Sequence, residues 1–157
     1  LLCNAQASVK DFSDQTELDS LMLVMRSGTI EDSVRLSIIS NIIFKAQHSK
    51  ELDSAYYLAQ IEYEYGKTKG LKKHEAAALN LEGYYFRKKD ESSKALERYL
   101  EALSIYEELE DKKGIATCYN KLGIVYRALG ENEKCFCMFS ISSIINLQNT
   151  SENNGTL

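Results

Sequence analysis

Two stretches of this chain, forty residues apart, carry one pattern. Leu79, Asn80, Gly83, Phe86, Arg87, Ala95, Tyr99 and Ala102 in the first fall on Tyr119, Asn120, Gly123, Tyr126, Arg127, Cys135, Phe139 and Ser142 in the second. Self-similarity at a fixed period of this size marks an array of stacked supersecondary units, because one unit cannot bury its apolar face alone. Such a stack presents an extended concave surface rather than a catalytic pocket. The repeat therefore constrains both the fold and the kind of function to look for.

Apolar periodicity predicts about seven helices and no competing strand pattern. They cover about 14–26, 30–48, 51–65, 71–88, 91–109, 113–129 and 132–147. Asp14 with Glu17 forms a capping-box pair for the first, and Asp90 is the expected N-cap of the fifth. Gly66 and Gly130 are read as helix stops. The joints are two to five residues long, which forces antiparallel neighbours. Proline is absent, so nothing breaks these helices from within. The expected fold class is all-α: a solenoid of about seven antiparallel helices, with one domain over 8–148 and a disordered polar tail over 149–157. Asn149-Thr150-Ser151 and Asn154-Gly155-Thr156 in that tail match the glycosylation triplet, a match too common in polar tails to carry weight.

The first seven residues, Leu1-Leu2-Cys3-Asn4-Ala5-Gln6-Ala7, read as the remnant of a signal peptide, with Ala5-Gln6-Ala7 as the small-x-small cleavage pattern. That reading places the chain outside the cytoplasm, in a periplasmic or other extracytoplasmic space; without it the chain is cytoplasmic. Cysteine usage follows the same fork. Cys118, Cys135 and Cys137 fall where the repeat wants small buried residues and are read as apolar thiols. A Cys118–Cys135 disulfide is the alternative in an exported chain.

The net charge of −4 with no Lys/Arg cluster argues against nucleic acid as a partner of this chain alone. No stretch approaches the roughly 18 apolar residues of a membrane span. No phosphate loop, zinc spacing or nucleophile elbow occurs. His48 and His74, the two histidines, fall at a helix end and a helix start, where they cap or face solvent. No enzyme activity, cofactor or metal is expected.

The repeated residues resemble the tetratricopeptide repeat. Its A helix carries a large residue, Leu-Gly and then an aromatic, matched by Tyr119, Leu122, Gly123 and Tyr126. Its B helix carries Ala, an aromatic and Ala, matched by Cys135, Phe139 and Ser142. The earlier copy supplies Leu79, Gly83, Phe86, Ala95, Tyr99 and Ala102, with Glu82 in place of Leu. A weaker copy precedes it, with Ile39, Ile42, Ile43, Ala46 and Ala55 in register, while Ala59 and Glu62 depart. The resemblance implies repeats over about 30–67, 71–110 and 113–148, of a long subtype with period 40 and without the closing proline. It implies that Gly83 and Gly123 sit at close helix crossings opposite Ala95 and Cys135, with the aromatics filling the groove between repeats.

The same resemblance implies a non-enzymatic interaction module whose concave face binds a peptide or partner protein. The implied site residues are Phe44, Gln47, Asn80, Tyr84, Arg87, Asn120, Ile124 and Arg127, together with Ser40, Lys88 and Thr117 on the same face. Asparagine bonds a peptide backbone at both its groups, and arginine grips a carboxylate. Tetratricopeptide arrays behind signal sequences resemble the extracytoplasmic sensory parts of bacterial regulators; a peptide-responsive regulator or an oligomerisation scaffold is the alternative. The last helix carries no charged residue from Cys135 to Leu147. Phe136, Phe139, Ile141, Ile144 and Ile145 make it an association helix, with three explanations open: continuation of the array, a homodimer, or another partner.

Overall fold

The structure, a computed structural model, describes residues 31–35, 37–38 and 52–154, with side chains through residue 151. Helical residues 32–35 and 37–38 are followed by α1 (Leu52–Lys69), α2 (Lys72–Lys88), α3 (Ser92–Glu108), α4 (Lys112–Ala128) and α5 (Asn132–Asn154). Each helix packs on the next in the chain, α1 on α2 through to α4 on α5. This is the all-α solenoid expected from the repeat. The leader reading at residues 1–7, the first expected helix and Ser40, Phe44, Gln47 and His48 lie outside the described residues.

The period of 40 has a local cause. α2, α3 and α4 are each 17 residues long, and the helices from α2 to α5 begin 20 residues apart. The joints repeat one geometry: Gly70, Asp90, Glu110 and Gly130 have φ of 68°, 60°, 53° and 78°. In each, the next backbone N–H turns back to a carbonyl of the last helical turn, as in Leu71 to Gly66 (2.8 Å) and Glu91 to Phe86, Asp111 to Tyr106 and Glu131 to Tyr126 (each 2.9 Å). This is the Schellman closure, which satisfies carbonyls that the helix end leaves open. Glycine takes the left-handed conformation freely at two joints; Asp90 and Glu110 take it at a cost of roughly 1–2 kcal/mol.

Three expectations change here. Asp90 is not the N-cap of α3: it closes α2 in the left-handed conformation, and the N-cap is Glu91, without a side-chain cap. Gly66 does not stop α1. It is buried inside it, where an added Cβ would lie 2.8 Å from the Glu75 backbone nitrogen, so it marks a close crossing with α2. Finally, α5 continues to Asn154 through residues expected to be irregular. No glycine or proline intervenes between Gly130 and Gly155, and Thr150 and Ser151 turn their hydroxyls onto the Leu147 and Gln148 carbonyls (2.8 Å each).

Within each repeat the glycine meets an aromatic. A Cβ on Gly83 would lie 2.7 Å from the Tyr99 ring, and one on Gly123 2.9 Å from the Phe139 ring. The crossings are therefore tight and equivalent, but the rings, rather than Ala95 and Cys135, occupy the space that the missing side chain leaves. Between repeats, Tyr106 of α3 lies over Gly114 of α4, and Leu79, Tyr99, Leu103, Cys118, Leu122 and Val125 join into one core across α2, α3 and α4. Cys118 and Cys135 are buried free thiols and Cys137 an exposed one, so the disulfide alternative is not realised. Burial pushes the Cys118 thiol up to about 12.

Glu82, the departure from the Leu of the family pattern, has a partner. Its Oε2 lies 3.3 Å from Arg98 Nε, and burial raises its carboxyl, with Arg98 opposing the shift. Forty residues on, the same pair of positions holds Leu122 and Met138, both packed in the core. An ion pair and an apolar pair thus serve one structural position. The pair is only partly buried, Arg98 being 32% exposed, and even fully buried ion pairs are commonly replaced by matched apolar groups without loss. Glu82→Leu combined with Arg98→Met is accordingly expected to hold or raise the thermal midpoint, measured by circular dichroism.

A second buried polar group joins α1 to its neighbours. Glu62 accepts from Arg35 Nη2 at 2.9 Å and Nε at 3.2 Å on one oxygen, and pairs with His74 Nδ1 through the other. All three side chains are buried. Arg35 also lies 3.6 Å from the centre of the Tyr65 ring, whose hydroxyl donates to Asp32 at 2.8 Å. The expected capping or solvated role of His74 gives way to this one: the turn into α2 places it against α1 rather than in water.

Candidate partner-binding groove

The inner faces of α2 and α4 frame an open cavity of about 400 Å³. Asn80 and Tyr84 reach it from α2, Thr117 and Lys121 from α4, and Tyr106 of α3 forms part of its floor. These positions follow from the register: residues at i, i+4 on each A helix face inward once Gly83 and Gly123 are turned toward the B helices.

The groove is rich in cations. Lys121 Nζ lies 5.9 Å from the centre of the Tyr84 ring, with Arg87 at 5.1 Å and Lys88 at 5.7 Å from the same ring. Cations over an aromatic face are held by its negative quadrupole. Burial holds Lys121 below the usual lysine range, and the nearby Arg87 charge pushes it further down. Among the described residues no carboxylate pairs with Arg87 or Lys121, and Arg87 Nε is buried without a hydrogen-bond partner.

The acid at the groove, Asp111, is already engaged. It caps α4 by accepting from Gly114 N at 2.9 Å and pairs with Lys73 at 2.9 Å. Burial works to raise it, but these contacts outweigh burial and its carboxyl titrates below the ordinary range. Among the described residues, the outer end of the groove near Arg87 and Lys121 is therefore left with uncompensated positive charge.

Asn80 lines the cavity and is mostly buried; its side-chain oxygen accepts from Cys118 Sγ at 3.6 Å. It braces the junction between repeats as well as facing the groove. Its counterpart Asn120 is exposed, as is Arg127, and Ile124 is half-buried. These three continue the inner face beyond the cavity, where no further helix pair stands opposite them among the described residues. Lys121 and Lys73 were not among the expected site residues. The position of Lys121, one residue beyond Asn120, reads as neutral in the repeat pattern and becomes part of the groove only through stacking against Tyr84.

On α5, Phe136 is 77% exposed and Ile144 55%, while Phe139 packs on Gly123 and Ile141 and Ile145 are half-buried. Leu147, at 69%, joins the exposed set.

The crossings at Gly83 and Gly123 thus coincide with a repeat of forty residues, and residues 74–139 match the family model of the tetratricopeptide repeat. These residues are tetratricopeptide repeats. No match was found among curated proteins or solved structures. Tetratricopeptide repeats in general mediate protein–protein interaction, and the family is in general non-enzymatic. Among the described residues no cluster of His, Cys, Asp or Glu could hold a metal ion, and no helix is long and apolar enough to cross a membrane.

Proposed function

We propose that the groove between α2 and α4 receives an acidic segment of a protein partner. The observation that supports this is the pairing of Arg87 and Lys121 around Tyr84, with no carboxylate of the described residues paired to either. Burial first, and then the like charge of Arg87, disfavour the charged form of Lys121. An incoming carboxylate would offset that penalty while forming charge-assisted hydrogen bonds, which are stronger than neutral ones. Tyr84, 1% exposed, props the two cations from beneath rather than meeting the partner itself, and Asn80 is the polar contact nearest the groove floor. Asn120, Ile124 and Arg127 would extend the track on one side.

Peptides that differ only in carboxylate content, followed by fluorescence anisotropy with the full chain, test this reading. Arg87→Ala and Lys121→Ala are each expected to weaken an acidic peptide by about 10-fold or more, the usual scale for losing a charged hydrogen bond. Added salt should weaken it too. Lys134→Ala serves as control, because Lys134 is exposed and paired with Glu131. Equal affinity for the acidic peptide and its amide counterpart, or indifference to both groove substitutions, refutes the proposal.

A further inference from the structure

The forty-residue register allows α5 to be compared position by position with α3, and the two differ in a telling way. On α3 the face covered by the next repeat carries Leu103 and Tyr106, both buried, with the Tyr106 ring over Gly114. The matching positions on α5 are Ser143 and Asn146, both exposed. A polar face at this place is what the terminal unit of a stack requires. On α3 the neighbouring outward positions are Ser104 and Glu107, both exposed. Their counterparts on α5 are Ile144 and Leu147, which are 55% and 69% exposed. Polar groups stand where stacking would need apolar ones, and apolar groups stand where the stack faces solvent. Ile144 and Leu147 are therefore not the unfilled seat of another repeat; Phe136, which flanks them, matches Leu96, a half-buried residue packed on the core.

We propose that α5 closes the array and that Phe136, Ile144 and Leu147 form a lateral face for a second copy of this chain. Charge favours a copy as the occupant. The chain carries a net charge of −4, yet residues 135–151 contain no charged side chain. Two copies can meet along this face without burying an ion or opposing like charges, a penalty they would incur elsewhere. The stripe is also complementary to itself when reversed. In an antiparallel pair, Phe136 meets Leu147 of the second copy and Ile144 meets Ser140, so the large residues alternate with a small one that permits close approach. The contact is isologous, as a two-fold dimer requires. At 23 residues the helix is about 34 Å long, enough for a continuous seam. This inference stands apart from the groove, which lies on the other helices.

Sedimentation equilibrium of the full chain tests it. The expected result is a concentration-dependent dimer that Ile144→Glu with Leu147→Glu abolishes and Asn146→Glu preserves, helicity being unchanged in all. These sites are exposed, so the substitutions leave the fold intact. A second measurement fixes the arrangement: in a Cys3→Ser, Cys137→Ser chain, Phe136→Cys with Leu147→Cys should form a covalent dimer on oxidation, and Phe136→Cys alone should not. A folded chain still monomeric at about 100 µM overturns the proposal. So does a dimer that survives the double glutamate change, one lost with Asn146→Glu, or the absence of cross-linking in the paired cysteine variant.

Discussion

Glu62→Gln is expected to destabilise the folded chain by about 3–5 kcal/mol, the scale for removing one partner of a buried ion pair. The carboxylate has no access to water, and it holds Arg35 with two donors on one oxygen and His74 on the other. With the charge removed, the Arg35 guanidinium remains buried with its principal counter-ion gone. The cost is large against the roughly 5–15 kcal/mol that stabilises a domain. Urea denaturation followed by circular dichroism measures it. Lys72→Ala supplies the contrast: Lys72 and Glu108 are both exposed and 3.9 Å apart, and the expected change is within about 1 kcal/mol. Equal effects from the two substitutions would show that the Glu62 network is not the tie between α1 and its neighbours.

Gly114→Ala is expected to cost about 1–3 kcal/mol in spite of the better helix propensity of alanine. The added methyl would sit 2.2 Å from Tyr106 Cδ1 and 2.5 Å from Cγ. Tyr106 is buried, and burial pushes its phenol up to about 12. The ring has little room to retreat, so the strain must pass into the contact between α3 and α4, which joins one repeat to the next. Combining the change with Tyr106→Leu should recover part of the loss, because the smaller side chain removes the clash. Failure of that rescue in a thermal melt would place the cost in the backbone at the start of α4 instead.

The residues that repeat in register made the helical stack legible. Gly83 and Gly123 are informative because only a close crossing favours glycine inside a helix, and they lie at equivalent crossings. Glu82 was visible as a departure from the pattern, but its explanation was not: Arg98 is sixteen residues away, and only the comparison with Leu122 and Met138 shows that one pair replaces the other. Glu62 was likewise visible only as a departure, and His74 was read as a cap or a solvated residue. Each looks like a local exception, and their meeting depends on the angle at which α1 and α2 cross. The clue available in advance was a carboxylate at a buried register position, which calls for a partner.

The groove was legible in outline through Asn80, Tyr84 and Arg87. Its charge balance was not, since Lys121 enters from the next repeat and Asp111 is withdrawn by Lys73 and the α4 N-terminus. The lateral stripe of α5 was visible as an uncharged run, yet its direction relative to the stacking face required coordinates for α3 and α4.

Sequence alone determined the period, the helical class and the glycine-marked crossings, because these follow from local backbone preference and from apolar spacing along a single strand of chain. Tertiary structure decided which charges are neutralised, which are left facing the groove, and which side of the last helix remains open. Those outcomes depend on distances between residues brought together by superhelical stacking, and Coulomb and packing energies change steeply over the few ångströms that spacing in sequence does not specify.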